Sequence, residues 1–136
     1  MTLAASADCP CGLERKPGQP RLLADCCGRY LANFDDLPAP DAPSLMRSRY
    51  SAFVLERADY LLATWHPGTR PATLDFEPDA RWLGLEGRAH LSTGPTMAEV
   101  EFVARMRLAG QAVRLHERSR FVREGGRWLY VDGDQR

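Results

Sequence analysis

Hydrophobic and polar residues follow two different periods along the chain, and the first of them is helical. Between residues 45 and 54 the apolar positions recur at the spacing of one helix face, at Met46, Tyr50, Phe53 and Val54. Ser44 stands just before this stretch, so we expect it to be the N-cap of a helix that begins at Leu45. A second short helix is predicted near Asp59, and Pro67 should end it.

The second half of the chain alternates apolar and polar residues, which is typical of half-buried strands. Strands are predicted over residues 81–91, 97–108, 112–123 and 127–132. The dipeptides Ala109-Gly110 and Gly125-Gly126 indicate hairpin turns between them. Helices followed by a long antiparallel meander predict an α+β fold, in which curved hairpins with helices on one face enclose a cone.

A segment rich in proline and aspartate separates this domain from the start of the chain. Pro38, Pro40 and Pro43 block a continuous helix there and predict a stiff, extended linker. The predicted organisation is a small module over residues 1–31, a linker over residues 32–44 and a main domain over residues 45–136.

Composition and charge narrow the classes of function. The 136 residues suit one compact domain with a small accessory module. Eighteen basic and eighteen acidic residues give zero formal net charge, which counts against nucleic acid as a partner because such proteins usually carry a basic excess. No stretch reaches the roughly eighteen apolar residues of a membrane span, and the first residues do not form a secretory signal. We therefore expect a cytoplasmic protein with no membrane span.

The four cysteines lie close together near the start of the chain. Their spacing is Cys-x-Cys-x14-Cys-Cys, at Cys9, Cys11, Cys26 and Cys27. Four thiolates are a preferred ligand set of tetrahedral zinc, and metal binding would replace the hydrophobic core that so short a segment cannot form. No ligand position is left open, so the expected zinc is structural. Free thiols, disulfides and a redox role or metal cluster are the alternatives.

The cysteine segments resemble a known motif. Cys9-Pro10-Cys11-Gly12 and Cys26-Cys27-Gly28 are similar to the SEC-C motif, the zinc-binding tail by which the SecA translocation motor contacts the export chaperone SecB. The loop between the two cysteine pairs is longer here, by about Leu13–Pro20.

The rest of the chain resembles the YchJ (UPF0225) family, which joins this motif to an NTF2-like domain. The stretches that carry the resemblance are residues 45–52, 59–67, 115–121 and 126–133. The resemblance implies a zinc-binding SEC-C module followed by an NTF2-like (cystatin-like) cone, and a protein partner such as a SecB-like chaperone or the ribosome. It implies no established activity.

Polar residues on the apolar face of the third long strand indicate a possible pocket inside the cone. Buried polar groups must find partners or line a wet cavity. A histidine leaving the second helix could reach the mouth of this cavity, where a His–carboxylate pair could act as general acid or base. The weak pocket candidates are His66, Glu117, Ser119, Trp128 and Tyr130.

The structural interpretation of these residues is favoured over the catalytic one. His66 before a proline is typical of a helix-end hydrogen-bonding residue, and Glu117 could pair with Arg47 or Arg49 of the first helix. Arg114, Arg118 and Arg120 form a stripe on the other sheet face. A solvated surface is the preferred interpretation of this stripe, and an anion-binding site is the alternative.

The preferred function is a zinc-binding adaptor whose SEC-C module docks a partner protein. The alternative is small-molecule binding or an enzymatic activity in the cone; no nucleophile motif, cofactor fingerprint or phosphate loop is present in the sequence to support an enzyme. An adaptor predicts a filled cone and an exposed apolar or basic rim around the zinc. An enzyme predicts an open pocket that contains His66 or Glu117.

Overall fold

The structure is a computed structural model and describes residues 6–136. A hairpin of β1 (Glu14–Lys16) and β2 (Gln19–Pro20) is followed by a 3-10 turn (Leu23–Asp25) and by the helices α1 (Gly28–Ala32), α2 (Ala42–Val54) and α3 (Ala58–Ala63). The remaining elements are β3 (Ala80–Gly94), β4 (Met97–Leu108), β5 (Gln111–Glu124) and β6 (Arg127–Gln135). This order confirms the prediction of helices followed by a meander.

The four long strands form one antiparallel sheet in the order β3-β4-β5-β6. Across β4 and β5 the register pairs Val100 with Ser119 and Phe102 with Glu117, so these residues share the face that α2 covers. The pairing of β3 with β4 shifts register at three places, and irregularities of this kind bend a strand. The result is a curved sheet with a concave side toward the helix.

Helix α2 begins one turn earlier than the sequence predicts. Asp41 is its N-cap, and the side-chain Oδ1 of Asp41 accepts a hydrogen bond from the backbone N of Ser44 at 2.8 Å. Pro43 lies in the first turn, where a backbone N–H has no partner inside the helix. The prediction that Ser44 caps the helix is therefore wrong, because the first turn of a helix accommodates proline and Pro43 does not delay its start.

Replacing Asp41 with alanine should lower the free energy of unfolding by about 1 kcal/mol, because the Ser44 amide loses its acceptor. The matched control is Ser44→Ala, which should leave stability within about 0.5 kcal/mol of the wild type. Urea denaturation followed by circular dichroism measures both variants. Equal effects of the two substitutions would contradict the assignment of the cap.

The segment between α1 and α2 is packed against the body of the molecule. The Phe34 ring meets the Tyr60 ring edge to face, with 5.6 Å between centroids. Arg127 donates to the carbonyl oxygens of Phe34 at 3.2 Å and Asp35 at 2.6 Å. The turn of this segment lies at residues 34–36 and is docked, while Pro43 belongs to α2 and not to an extended linker. The division of the chain into domains at residues 31 and 44 stays a prediction.

One hydrophobic core runs from the cysteines to the sheet. The four cysteines pack in the same buried cluster as Leu45 and Met46 of α2, Tyr60 and Leu61 of α3, and Phe121 of β5. Tyr60 and Leu61 are fully buried. The cysteine end is therefore continuous with the core beneath α2. Among the described residues, no helix has both the length and the apolar character needed to cross a membrane.

Candidate metal centre and cone cavity

Two tight turns bring the cysteine pairs together. Gly12 adopts a left-handed conformation (φ 77°), and its backbone N donates to the carbonyl of Cys9 at 3.2 Å. The backbone N of Cys9 donates to the carbonyl of Arg21 at 2.8 Å, which ties the first pair to the chain that leads into the second. Cys27 is the N-cap of α1. The turn at Gly12 and the N-terminus of α1 together bring the four thiols close to one another.

The four sulfur atoms have the spacing of a single metal site. Their Sγ atoms all lie within 4.8 Å of one another, and all four cysteines are buried and free of disulfide bonds. The Sγ of Cys11 lies 3.6 Å from that of Cys9 and 3.7 Å from that of Cys26. Tetrahedral zinc with Zn–S bonds of about 2.3 Å separates its sulfurs by about 3.8 Å. The four cysteines therefore fit a single metal ion bound by four thiolates.

Without a cation, the thiols share protons unequally. Hydrogen bonds from the Cys11 side chain, and then from Cys27, lower the pKa of Cys9 far below its ordinary value. The hydrogen bonds of Cys27 with Cys11, Cys26 and Cys9, together with burial, raise the pKa of Cys27. Only part of the set can be ionised at once in this state, whereas a divalent cation displaces the protons and holds four thiolates together.

Neighbouring side chains tie the cysteines to the rest of the fold. The Oγ of Ser51, on α2, lies 3.7 Å from the Sγ of Cys9, and Ser51 is fully buried. Arg29 donates from Nε to the carbonyl of Cys26 at 2.9 Å, which holds a cationic side chain at the edge of the cluster. Arg15 and Lys16 lie instead on the exposed hairpin.

The lengthened loop between the cysteine pairs is an ordered hairpin. Residues 14–20 form β1, β2 and the turn between them, and all of these residues are exposed. A groove of about 400 Å³ separates this hairpin from β3, and Arg47 of α2 lies in its lining with Leu85 and Gly87. Nothing in the cysteine spacing shows this groove, because the hairpin and β3 meet only in the folded chain.

A second concave feature lies between α2 and the sheet. It is a cavity of about 260 Å³. Its apolar walls include Met46, Phe53, Trp82, Phe102, Leu115 and Phe121. Its polar lining consists of Arg49, Glu117, Ser119 and the amphipathic Tyr50 and Tyr130. The filled cone expected of an adaptor is therefore wrong, because side chains of α2 and the sheet leave this space between them open.

Glu117 has partners other than the arginines proposed for it. Its carboxylate accepts hydrogen bonds from the Oγ of Ser119 and, at 2.8 Å, from the Nε2 of Gln135. Neither Arg47 nor Arg49 has a nitrogen within 4.0 Å of this carboxylate. The expected pairing of Glu117 with the first helix is not formed, since residues at the end of β6 occupy its oxygens.

His66 lies outside the cavity. Its backbone N donates to the carbonyl of Tyr130 at 2.8 Å, and its Nε2 lies 3.0 Å from a carboxylate oxygen of Glu124. The His66–Glu117 acid–base pair, which was the less favoured interpretation of the sequence, is therefore not formed. Trp128 lies on the opposite side of the core, with Phe34 and Leu45. Of the five pocket candidates, the cavity contains Glu117, Ser119 and Tyr130.

Arg49 lines the cavity but is not among the predicted pocket residues, although its place in the sequence carried a signal. Arg49 falls between Met46 and Tyr50 in the buried stripe of α2, and an arginine is rarely buried unless it is paired. Its Nη1 donates to the carbonyl of Leu61 and to the Oγ1 of Thr64, each at 2.8 Å.

The arginine stripe on the outer sheet face is largely neutralised. Arg118 pairs with Glu99 and Glu101 at 3.4 and 3.0 Å, and Arg120 pairs with Asp132 and with Asp134, the latter at 2.7 Å. Exposed pairs of this kind contribute little stability each. The interpretation of a solvated face is the one that fits these contacts.

Fold and site together define a class of protein: a curved antiparallel sheet covered by helices, with a buried four-cysteine cluster packed against the first long helix. Residues 41–133 match the family model described as YchJ, middle NTF2-like domain. The chain belongs to the YchJ (UPF0225) family, and the resemblance drawn from the sequence is confirmed.

Relatives and solved structures agree with this assignment. A UPF0225 protein of Polaromonas sp. is 63% identical over 135 residues, covering 98% of this chain and 97% of its own length. A UPF0225 protein of Bordetella pertussis is 58% identical over 134 residues, with 98% and 96% covered.

Two solved structures share the fold. A SEC-C motif containing protein from Psychrobacter arcticus superposes with a TM-score of 0.80 at 30% identity, over 94% of this chain and 82% of that one. A SEC-C motif containing protein from Rhodopseudomonas palustris gives 0.79 at 32% identity, over 94% and 98%.

Proposed function

We propose that the chain is a zinc-dependent adaptor, in which Cys9, Cys11, Cys26 and Cys27 hold one structural zinc ion. The observation that carries this proposal is the set of four buried thiols with Sγ atoms within 4.8 Å of one another. Thiolates are soft ligands, and a closed set of four leaves no position for a substrate. An iron–sulfur cluster would hold its cysteines farther apart, because the cluster itself stands between them.

Freshly purified protein should contain one zinc per chain. Elemental analysis by mass spectrometry measures the metal, and a thiol reagent should find the four cysteines protected until a strong chelator is added. The control is the Cys26→Ser/Cys27→Ser variant purified in parallel, which should retain little zinc. Wild-type protein without metal, with four reactive thiols or a disulfide, would overturn the zinc assignment.

The surface proposed for the partner lies on the hairpin of residues 14–20 and the edge of the sheet beside it. Arg15 and Lys16 on the hairpin and Arg47 across the groove make this surface basic, with Glu14 as the opposing charge. Strand β3 is an edge of the sheet, and its residues 86–93 are exposed. An exposed edge offers backbone hydrogen bonds to an extended segment. The surface therefore suits an extended, acidic segment of a partner protein.

The partner class follows from this chemistry and from the SEC-C motif. A SecB-like export chaperone is the first partner to test, and the ribosome is the second. Both tests use the zinc-loaded full chain, because the backbone of Cys9 is bonded to Arg21, the residue that directly follows the hairpin.

Reversing the hairpin charges with Arg15→Glu/Lys16→Glu should weaken binding to the partner at least about tenfold at low salt, because two favourable charges become repulsive. Interferometry with purified SecB-like chaperone or ribosomes measures the affinity. The matched control is Arg114→Glu/Arg123→Glu, which makes the same charge change at exposed positions of β5. Equal weakening in both variants, or no binding of the wild type to either partner, would contradict the adaptor proposal.

A second candidate function is small-molecule binding in the cone. The cavity of about 260 Å³ favours it, since an open cone was expected of this alternative and not of an adaptor. Its walls are apolar, and a few polar groups converge at one part of the lining.

A further inference from the structure

Arg49 is a buried cation without an acidic partner. It is 6% exposed and lines the cone cavity. Both of its hydrogen bonds use Nη1, and among residues 6–136 neither Nε nor Nη2 has an acceptor. Within the same residues, no carboxylate oxygen lies within 4.0 Å of its guanidinium nitrogens. Part of its hydrogen-bonding capacity is therefore free beside the cavity.

The guanidinium group of Arg49 is held rigidly. Its central carbon lies 4.9 Å from the centroid of the Trp65 ring and 4.6 Å from that of Tyr130. The Nη1 bonds to Leu61 and Thr64 fix its rotation. Burial lowers the pKa of Arg49 to about 10, so the group is still charged at neutral pH. A charge buried without a counter-ion is unfavourable, and an arginine fixed in this way is well suited to bind a carboxylate.

The acidic residue of the cavity acts on Arg49 only through space, because the Glu117 carboxylate makes no direct contact with the guanidinium group. Glu117 is engaged by Ser119 and Gln135. The cavity thus presents free donors at Arg49 and an already satisfied acceptor at Glu117. A ligand that places a negative head group at Arg49 gains a counter-ion contact that the protein itself does not make.

The other walls of the cavity determine the polarity and size of the rest of the ligand. Phe53, Trp82 and Phe102 contribute aromatic walls, and the volume of about 260 Å³ lies just below the range of about 300–1,000 Å³ typical of ligand pockets. The body should therefore be apolar and compact.

We infer that the cone cavity binds a small amphipathic carboxylic acid, with its carboxylate on Arg49 and its aliphatic or aromatic body against the apolar walls. This inference rests on the second candidate function, ligand binding in the cone, and is independent of the adaptor role and of the zinc.

Octanoate and 1-octanol are the probes, because they share an apolar chain and differ in the charge of the head group. Titration of the zinc-loaded full chain, followed by amide chemical shifts, should show octanoate binding at least about tenfold more tightly than 1-octanol. In Arg49→Gln this preference should disappear. In Glu117→Gln octanoate should bind severalfold more tightly than in the wild type, because a like charge is removed from the cavity.

Ala104→Phe places a ring in the cavity, leaves the Arg49 side chain unchanged, and should abolish binding of both probes. This variant and Glu117→Gln decide the question if Arg49→Gln does not fold, and the amide spectrum of each variant shows whether it does. Equal affinity for the two probes in the wild type would overturn the carboxylate inference and leave ligand binding in place. Binding of octanoate that survives Ala104→Phe would overturn the site. Binding of neither probe would overturn both.

Discussion

Replacing Cys26 and Cys27 with serine is expected to unfold the helix–sheet domain as well as the cysteine end of the chain. Structural zinc contributes roughly 10–16 kcal/mol in small zinc-binding peptides, while a whole domain is stable by only about 5–15 kcal/mol. Loss of the ion should therefore lower the free energy of unfolding by on the order of 5 kcal/mol or more.

The reason for so wide an effect is the shared core. The cysteines pack in the cluster that contains Leu45 and Met46, and the Sγ of Cys9 lies 3.7 Å from the Oγ of Ser51 on α2. Arg57, just before α3, donates to the carbonyl of Leu31 in α1 at 2.9 Å. Disordering the cysteine segment would expose the inner face of α2 to water. Because α2 also covers the sheet, the packing of the sheet would be lost with it.

Thermal unfolding by near-ultraviolet circular dichroism and the amide spectrum of the β3–β6 sheet measure this outcome. The control is Ser51→Ala, which removes the hydroxyl beside the cluster and keeps all four thiols, and it should change stability by only about 1 kcal/mol. A double-serine variant that loses zinc but retains the wild-type sheet spectrum would show that the cysteine module is autonomous.

Gly28→Ala should disable the metal site through the backbone alone. A Cβ atom at Gly28 would lie 2.5 Å from the carbonyl oxygen and 3.0 Å from the carbonyl carbon of Leu23. That carbonyl oxygen also accepts the backbone hydrogen bond of Cys26 at 3.1 Å. Moving it out of the way must displace Cys26, so we expect a loss of about 3 kcal/mol in stability and a weakening of zinc affinity of at least about tenfold.

Gly84→Ala is the matched control for this substitution, because no heavy atom lies within 4 Å of the added Cβ atom. Urea denaturation and competition with a zinc chelator measure stability and affinity in both variants. If Gly28→Ala behaves like Gly84→Ala in both measurements, the close contact with Leu23 does not hold the cysteine turn in place.

The elements that the sequence predicted well are those set by local backbone geometry. Met46, Tyr50 and Phe53 lie on the side of α2 that faces the cavity, because a helix brings every third or fourth residue to one side. The alternation along β5 placed Glu117 and Ser119 on the cavity face for the corresponding reason in a strand. The predictions failed where two neighbouring residues could play the same part. Both Asp41 and Ser44 can cap a helix, and Asp41 is the N-cap because Pro43 is accommodated in the first turn.

The sequence by itself determined the four-cysteine set, the helix that carries the core stripe, the meander and the family. These follow from spacing and periodicity, which report on residues close together in the chain. Only the tertiary structure decided that the cysteines pack against α2, that His66 meets Glu124 instead of Glu117, and that Arg49 faces an open cavity without a counter-ion. Each of these contacts joins distant segments, so it depends on strand register, on bulges that bend the sheet and on the way the proline segment docks. No local pattern encodes those quantities, because many docking arrangements satisfy the same periodicity.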